Sequence, residues 1–136
     1  MKKILFLAAV LLFPLMVNGQ NLNTLDPDED ILPMQLVEEK PSFQGGDSNT
    51  FSKWVNENLV YPEICRENYV QGRVTLQFVV TKDGSIANVK VLRGVDPLLD
   101  KEAIRVVSSA PKWEPGKQRG IPVNVAYTFP VIFRLE

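Results

Sequence analysis

The stretch from residue 121 to residue 135, Ile-Pro-Val-Asn-Val-Ala-Tyr-Thr-Phe-Pro-Val-Ile-Phe-Arg-Leu, decides how the rest of the chain is read. Ile121, Val123, Val125, Tyr127, Phe129, Val131, Phe133 and Leu135 fall on every second position. Pro122, Asn124, Ala126, Thr128, Pro130, Ile132 and Arg134 lie between them and are mostly smaller or more polar. A period of two is that of a β-strand with one buried and one wet face. Both prolines sit on the wet register. Proline has no N–H to give to a ladder, so it belongs on an edge strand, at a strand start or at a bulge. The stretch is therefore expected to be a long terminal strand at the rim of its sheet. Such a rim either invites aggregation or accepts a partner strand.

Working back from it, the pattern switches between helix and strand. Phe51, Trp54, Val55 and Leu59 make one apolar helical stripe behind a cap at Asp47 or Ser48. Tyr61-Pro62 ends that helix and starts a second one, to about Asn68, with Ile64 and Cys65 inward. Gly72 opens a strand in which Val74, Leu76, Phe78 and Val80 alternate with more polar residues. Asp83-Gly84 turns the chain, and residues 86–93 return. Asp96-Pro97 caps a helix whose apolar face is Leu99, Ala103, Val106, Val107 and Ala110, with Asp100, Lys101, Glu102 and Arg105 on or near the wet side. Pro111 stops it, and residues 112–116 form a turn that lays Trp113 on the core. The order helix, helix, strand, strand, helix, strand predicts an α+β fold: a three-stranded antiparallel sheet with two to three short helices on one face.

The front of the chain differs from the rest. Lys2 and Lys3 precede an apolar run over residues 4–17, and Val17-Asn18-Gly19 offers small residues before Gln20. This is the pattern of a cleavable signal peptide over residues 1–19, and the run is short for a membrane span. Without Lys2 and Lys3, 13 basic residues face 16 acidic ones, a formal −3. Most of the excess lies in residues 20–46, where six acids stand against Lys40. That stretch is expected to be an acidic, mostly disordered leader ending at Gly45-Gly46, with Phe43 tucking back onto a domain spanning residues 47–136.

No clustered basic face points to nucleic acid. Cys65 is the single cysteine, which excludes an intramolecular disulfide, and it reads as a small buried hydrophobe. With no histidine, a Ser-His-Asp or Cys-His machine and a histidine metal site are excluded. Phosphate-binding glycine loops are missing. The carboxylates Glu63 and Glu67, and Asp100 and Glu102, read as solvated helix charges. No cofactor, metal or enzymatic activity is expected.

Several motifs in order resemble the TonB carboxy-terminal domain family: Tyr61-Pro62, Gln71-Gly72-Arg73-Val74, Asp83-Gly84-Ser85, Leu99-Asp100-Lys101-Glu102-Ala103, Pro111-Lys112-Trp113-Glu114-Pro115-Gly116 and the closing Pro122-Val123 strand. The resemblance covers roughly residues 61–135, with an extra helix in front. It implies a periplasmic domain that grips short box peptides of outer-membrane receptors and serves an inner-membrane proton-driven complex, in TonB-dependent transport. It implies that the peptide adds as a strand to the edge of the last strand, at Val123, Asn124, Val125, Ala126, Tyr127, Thr128 and Phe129, with Asn58, Tyr61 and Pro62 flanking it. Energy transducers of the family keep a membrane helix and a long spacer, so a cleavable signal and a short leader set this chain apart. Two other readings stand beside peptide capture: a homodimeric envelope scaffold paired through the same edge, and a membrane-anchored transducer whose N-terminus is not cleaved.

Overall fold

The computed structural model describes Leu25 and residues 29–136. The expected signal peptide, with the first part of the leader, lies outside the described residues. In chain order the elements are β1 (Ile31–Pro33), α1 (Ser48–Asn58), α2 (Glu63–Glu67), β2 (Gly72–Val80), β3 (Ile86–Arg93), α3 (Pro97–Ser108), β4 (Gly116–Gln118) and β5 (Ile121–Phe133). The α+β class is as expected, but the sheet has five strands rather than three, in the order β1-β5-β2-β3 with β4 also on β5.

Local chemistry explains the boundaries. The Asp47 carboxylate accepts from the Asn49 N–H at 3.0 Å and caps α1. Asp96 does the same for α3 through the Leu98 and Leu99 N–H groups, with Pro97 in the first turn. The β2–β3 turn needs Gly84, whose φ is +88° and where a Cβ would lie 2.1 Å from the Trp113 carbonyl oxygen. Gly84 also accepts the Trp113 N–H at 2.8 Å, which ties this turn to the segment leading into β4.

β2 and β5 pair antiparallel without interruption from Gly72↔Phe133 to Val80↔Val125. Alternation then sends Val74, Leu76, Phe78 and Val80 of β2, and Val125, Tyr127, Phe129, Val131 and Phe133 of β5, into one core. α1 and α3 cover that face with Phe51, Val55, Leu99, Ala103, Val106 and Val107. Fully burying a side chain of this size contributes about 1.5–3 kcal/mol. Phe51 is the centre of the helix–sheet contact, with ring centroids 4.8 Å from Phe129, 4.8 Å from Trp113 and 4.9 Å from Phe43.

β3 is the opposite edge of the sheet. Its pairing with β2 is broken by two register shifts, each leaving an extra residue in β3, and Asn88 there has φ +52°. Such bulges twist an edge away from further pairing.

Three expectations need correction. The leader is not disordered through its described part: it forms β1, buries Val37 and Phe43, and bonds back to the 114–117 segment through Glu39–Lys117 and Ser42–Glu114. Packing thus begins well before residue 47. Ile64, expected inward, is exposed while its neighbour Cys65 is buried. Glu102, read as a solvated charge, is buried beneath the α1–α2 link, where it accepts from the Val60 N–H at 2.7 Å and from Arg105 at 2.7 Å. Burial pushes the Glu102 carboxyl up, but the Arg105 guanidinium and the Val60 N–H outweigh it and hold the pKa below its ordinary value.

Candidate functional site

β5 is not a rim strand along its length. Its long pairing with β2 makes it an inner strand, and what remains in question is its second edge. Proline decides which backbone groups face that edge. Pro130 stands opposite Thr75 within the unbroken β2–β5 ladder, and a residue with no N–H fits only where its nitrogen points away from β2. With a period of two, Asn124, Ala126, Thr128 and Ile132 then turn their N–H and C=O groups outward as well, while residues 125, 127, 129, 131 and 133 serve β2. The β4–β5 hairpin agrees. Gln118 and Ile121 close a two-residue turn through Arg119 at φ +54° and Gly120 at φ +76°, so odd-numbered residues also serve β4, and Pro122 again points outward.

The outward edge is already occupied at one end. β1 runs parallel to β5 in the register Ile31↔Asn124, Leu32↔Val125 and Pro33↔Ala126. Asn124 fixes this pairing from a nearly buried position. Its side-chain amide donates to Glu29 at 2.9 Å and to the Asp30 carbonyl at 3.3 Å, and its Oδ1 accepts the Lys82 N–H at 2.9 Å. Lys82 completes the set with an ion pair to Glu29 at 3.2 Å.

Beyond Pro33 the leader leaves β5 through a turn closed by the Leu36 N–H on the Pro33 carbonyl at 3.0 Å. From residue 127 onward the outward edge has no strand partner among the described residues. There it forms the floor of a groove of about 640 Å³, walled by Ser48, Asn49 and Ser52 of α1 and by Pro33, Met34 and Gln35. Thr128 supplies a main-chain donor to the groove and Pro130 an acceptor only; Ile132, beyond the groove on the same edge, supplies the next donor.

The residues expected to form one site are spread along the strand. Val123 pairs with Gly116, Asn124 and Ala126 face β1, and Val125, Tyr127 and Phe129 are buried core. Thr128 alone of that set is exposed on the open part of the edge. Tyr61 packs edge-on against Phe133 at 5.5 Å, donates to the Val70 carbonyl, and carries the Arg66 guanidinium 5.5 Å from its ring centroid. Burial raises the Tyr61 pKa, so the phenol stays protonated. Pro62 starts α2 beside it. Tyr61 and Pro62 thus stand at the far end of β5, about 33 Å from Val123 at roughly 3.3 Å per strand residue. Tyr61 borders a second depression of about 470 Å³ with Asn56, Arg66, Ile132 and Arg134. Asn58 faces away from the edge: its amide returns to the Trp54 carbonyl at 2.8 Å, and its carbonyl accepts from Arg105 at 3.1 Å. The sequence reading missed β1 and its clamp; the apolar pair Ile31-Leu32 inside an acidic run was the available signal.

These features define a class: a small α+β domain whose long last strand is half covered along one edge, with a helix beside that edge. The family model for the C-terminal domain of the Gram-negative bacterial TonB protein matches residues 57–135. The chain belongs to that family, and it carries a transport-related interaction domain of the TonB type. Two NMR solution structures of the Helicobacter pylori TonB C-terminal domain are similar in fold. The shorter has 21% identity and a TM-score of 0.53, covering 65% of this chain and 94% of that one. The longer has 23% identity and a TM-score of 0.52, covering 69% and 89%. No curated protein matches the chain significantly. Among the described residues no helix is long and apolar enough to cross a membrane.

Proposed function

We propose that this domain acts in the periplasm, after export directed by residues 1–19, and captures an extended peptide from an outer-membrane receptor by strand addition to the outward edge of β5. The observation that carries this reading is the edge over residues 127–133, whose outward main-chain groups have no strand partner among the described residues and whose first part floors a groove walled by α1. Strand addition draws affinity from main-chain bonds and selectivity from alternate side chains. Thr128, Pro130 and Ile132 offer about five such bonds, each worth about 0.5–1.5 kcal/mol net. Once the cost of ordering the peptide is subtracted, that corresponds to micromolar binding or weaker. Tyr61 and Arg66, at the end of the same edge, would meet the peptide where it leaves β5.

The reading is tested by titrating seven-residue peptides, tiled over the plug N-termini of outer-membrane receptors from the same genome, into the 15N-labelled chain. The amides of Thr128 and Ile132 should shift most. If none of the peptides moves these two signals, peptide capture at this edge is rejected.

A further inference from the structure

We propose that the chain's own segment over residues 29–33 is a built-in competitor for the edge, so that a partner strand longer than the open part must first displace β1. The inference rests on the strand-addition reading above.

The register sets out the conflict. Because Val125 serves β2, its neighbours serve β1: the Leu32 N–H faces the Asn124 carbonyl and the Ala126 N–H faces the Leu32 carbonyl. Those are the outward groups that continue the open edge beyond Thr128. Pro130 removes a donor from the middle of the open part, so a peptide seeking a continuous ladder gains more by extending toward Ala126 and Asn124 than by staying between Thr128 and Ile132. β1 occupies that extension.

The way β1 is held suits a releasable element. It is three residues long, with Ile31 and Pro33 exposed, and buries no large side chain. Among the described residues its clamp is one ion pair, Glu29–Lys82, with side chains 30% and 56% exposed, two bonds from Asn124, and upstream the Leu25 N–H on the Asn88 Oδ1 at 3.3 Å. An ion pair so exposed is weak and screened by salt. Just downstream the same leader is fixed firmly: Val37 and Phe43 are in the core, and Glu39 and Lys117 exchange main-chain bonds at 3.0 and 2.9 Å. Opening is thereby confined to residues before the Pro33–Leu36 turn, and it exposes Asn124 and Ala126 without disturbing the core.

The test uses the full chain and two variants, Leu32→Pro, which removes the strand donor, and Glu29→Gln, which weakens the clamp without touching the backbone. In Leu32→Pro the Ala126 amide should exchange with deuterium at least tenfold faster than in the parent, while the Val125 and Tyr127 amides stay as slow. A synthetic heptapeptide copying residues 29–35 should bind Leu32→Pro, restore Ala126 protection, and bind the parent at least tenfold more weakly. Glu29→Gln should fall between them, with the difference from the parent fading at 500 mM NaCl. Unchanged Ala126 exchange in Leu32→Pro, or equal heptapeptide affinity for parent and Leu32→Pro, overturns the proposal. Receptor-plug peptides separate the two readings: if they bind parent and Leu32→Pro equally, competition fails and capture stands. If the heptapeptide behaves as expected and no receptor peptide binds either form, self-pairing stands and receptor capture fails.

Discussion

Replacing Thr128 by proline separates folding from binding at the edge. Thr128 is exposed, stands opposite Gln77 on the wet face, and turns its N–H outward by the parity that Pro122 and Pro130 impose. The substitution therefore takes no bond from the β2–β5 ladder. It loses a cross-strand side-chain pair worth about 0.2–1 kcal/mol, and a stiffer unfolded chain returns about 0.4–1 kcal/mol. The net change should stay within about 1 kcal/mol, or at most some 4–8 °C in Tm for a domain of this size. The edge, by contrast, loses one of its two open donors. At about 0.5–1.5 kcal/mol for that bond, Kd for a captured peptide should rise roughly 2–13-fold. Phe129→Pro is the control. Phe129 serves β2 and its ring is buried 4.8 Å from Phe51, so losing the ring alone costs about 3–5 kcal/mol, before the lost ladder bond is added. Thermal melts followed by circular dichroism, with calorimetric titration of the peptide, measure both effects. If Thr128→Pro unfolds as readily as Phe129→Pro, the assigned parity of β5 is wrong. If it folds and binds with unchanged Kd, the edge is not where the peptide pairs.

Two further outcomes follow from the turns. Gly84→Ala should destabilise the domain by about 2 kcal/mol or more, since φ is +88° and the new Cβ meets the Trp113 carbonyl; Gly120→Ala, in open space at φ +76°, should cost about 1 kcal/mol, and urea melts of the two rank them. Asp83 accepts from the Thr81 hydroxyl at 2.6 Å and from the Ser85 hydroxyl at 2.8 Å, bonds that together with the Ser85 N–H lower its pKa to about 2. A carboxyl depressed on folding adds stability above its unfolded pKa near 3.8, and that stability is lost as pH falls through about 2. Asp83→Asn should therefore lower Tm at pH 7 and match the parent near pH 1; discounted for its exposure, the difference at pH 7 is about 1 kcal/mol or less.

Much of the architecture was legible because local and global signals agree. Asp47 and Asp96 cap the helices they were expected to cap, Asp83-Gly84 turns the β2–β3 hairpin, and the alternation over residues 125–133 puts the expected residues in the core, whereas Ile121 stays exposed and Val123 half-buried. What failed was everything that depends on long-range pairing. Ile31-Leu32-Pro33 has too little periodicity to announce a strand, and only its partner over residues 124–126 makes it one. β4 is three residues long and hidden behind Arg119-Gly120, a two-residue turn whose positive φ at arginine no composition rule favours. Glu102 looked solvated because helical spacing gave it a wet neighbour, and its burial comes from the α1–α2 link lying across α3. The prolines of β5 were read correctly as facing away from a ladder partner, but an edge position was inferred where an inner strand with one half-covered side fits equally well.

The two bulges of β3 carry a consequence for stoichiometry. A sheet with two receptive sides is a link: it can take a strand on one margin, offer the other to a neighbour, and grow without limit. Here the extra residues in β3 and the left-handed Asn88 spoil one margin for such growth, which among the described strands leaves β5 as the side for the strand addition proposed above. Under that proposed strand addition the domain would be monovalent. It would then terminate a strand array instead of extending one, and crowding many copies at a surface should raise the number of occupied sites without joining the copies to one another.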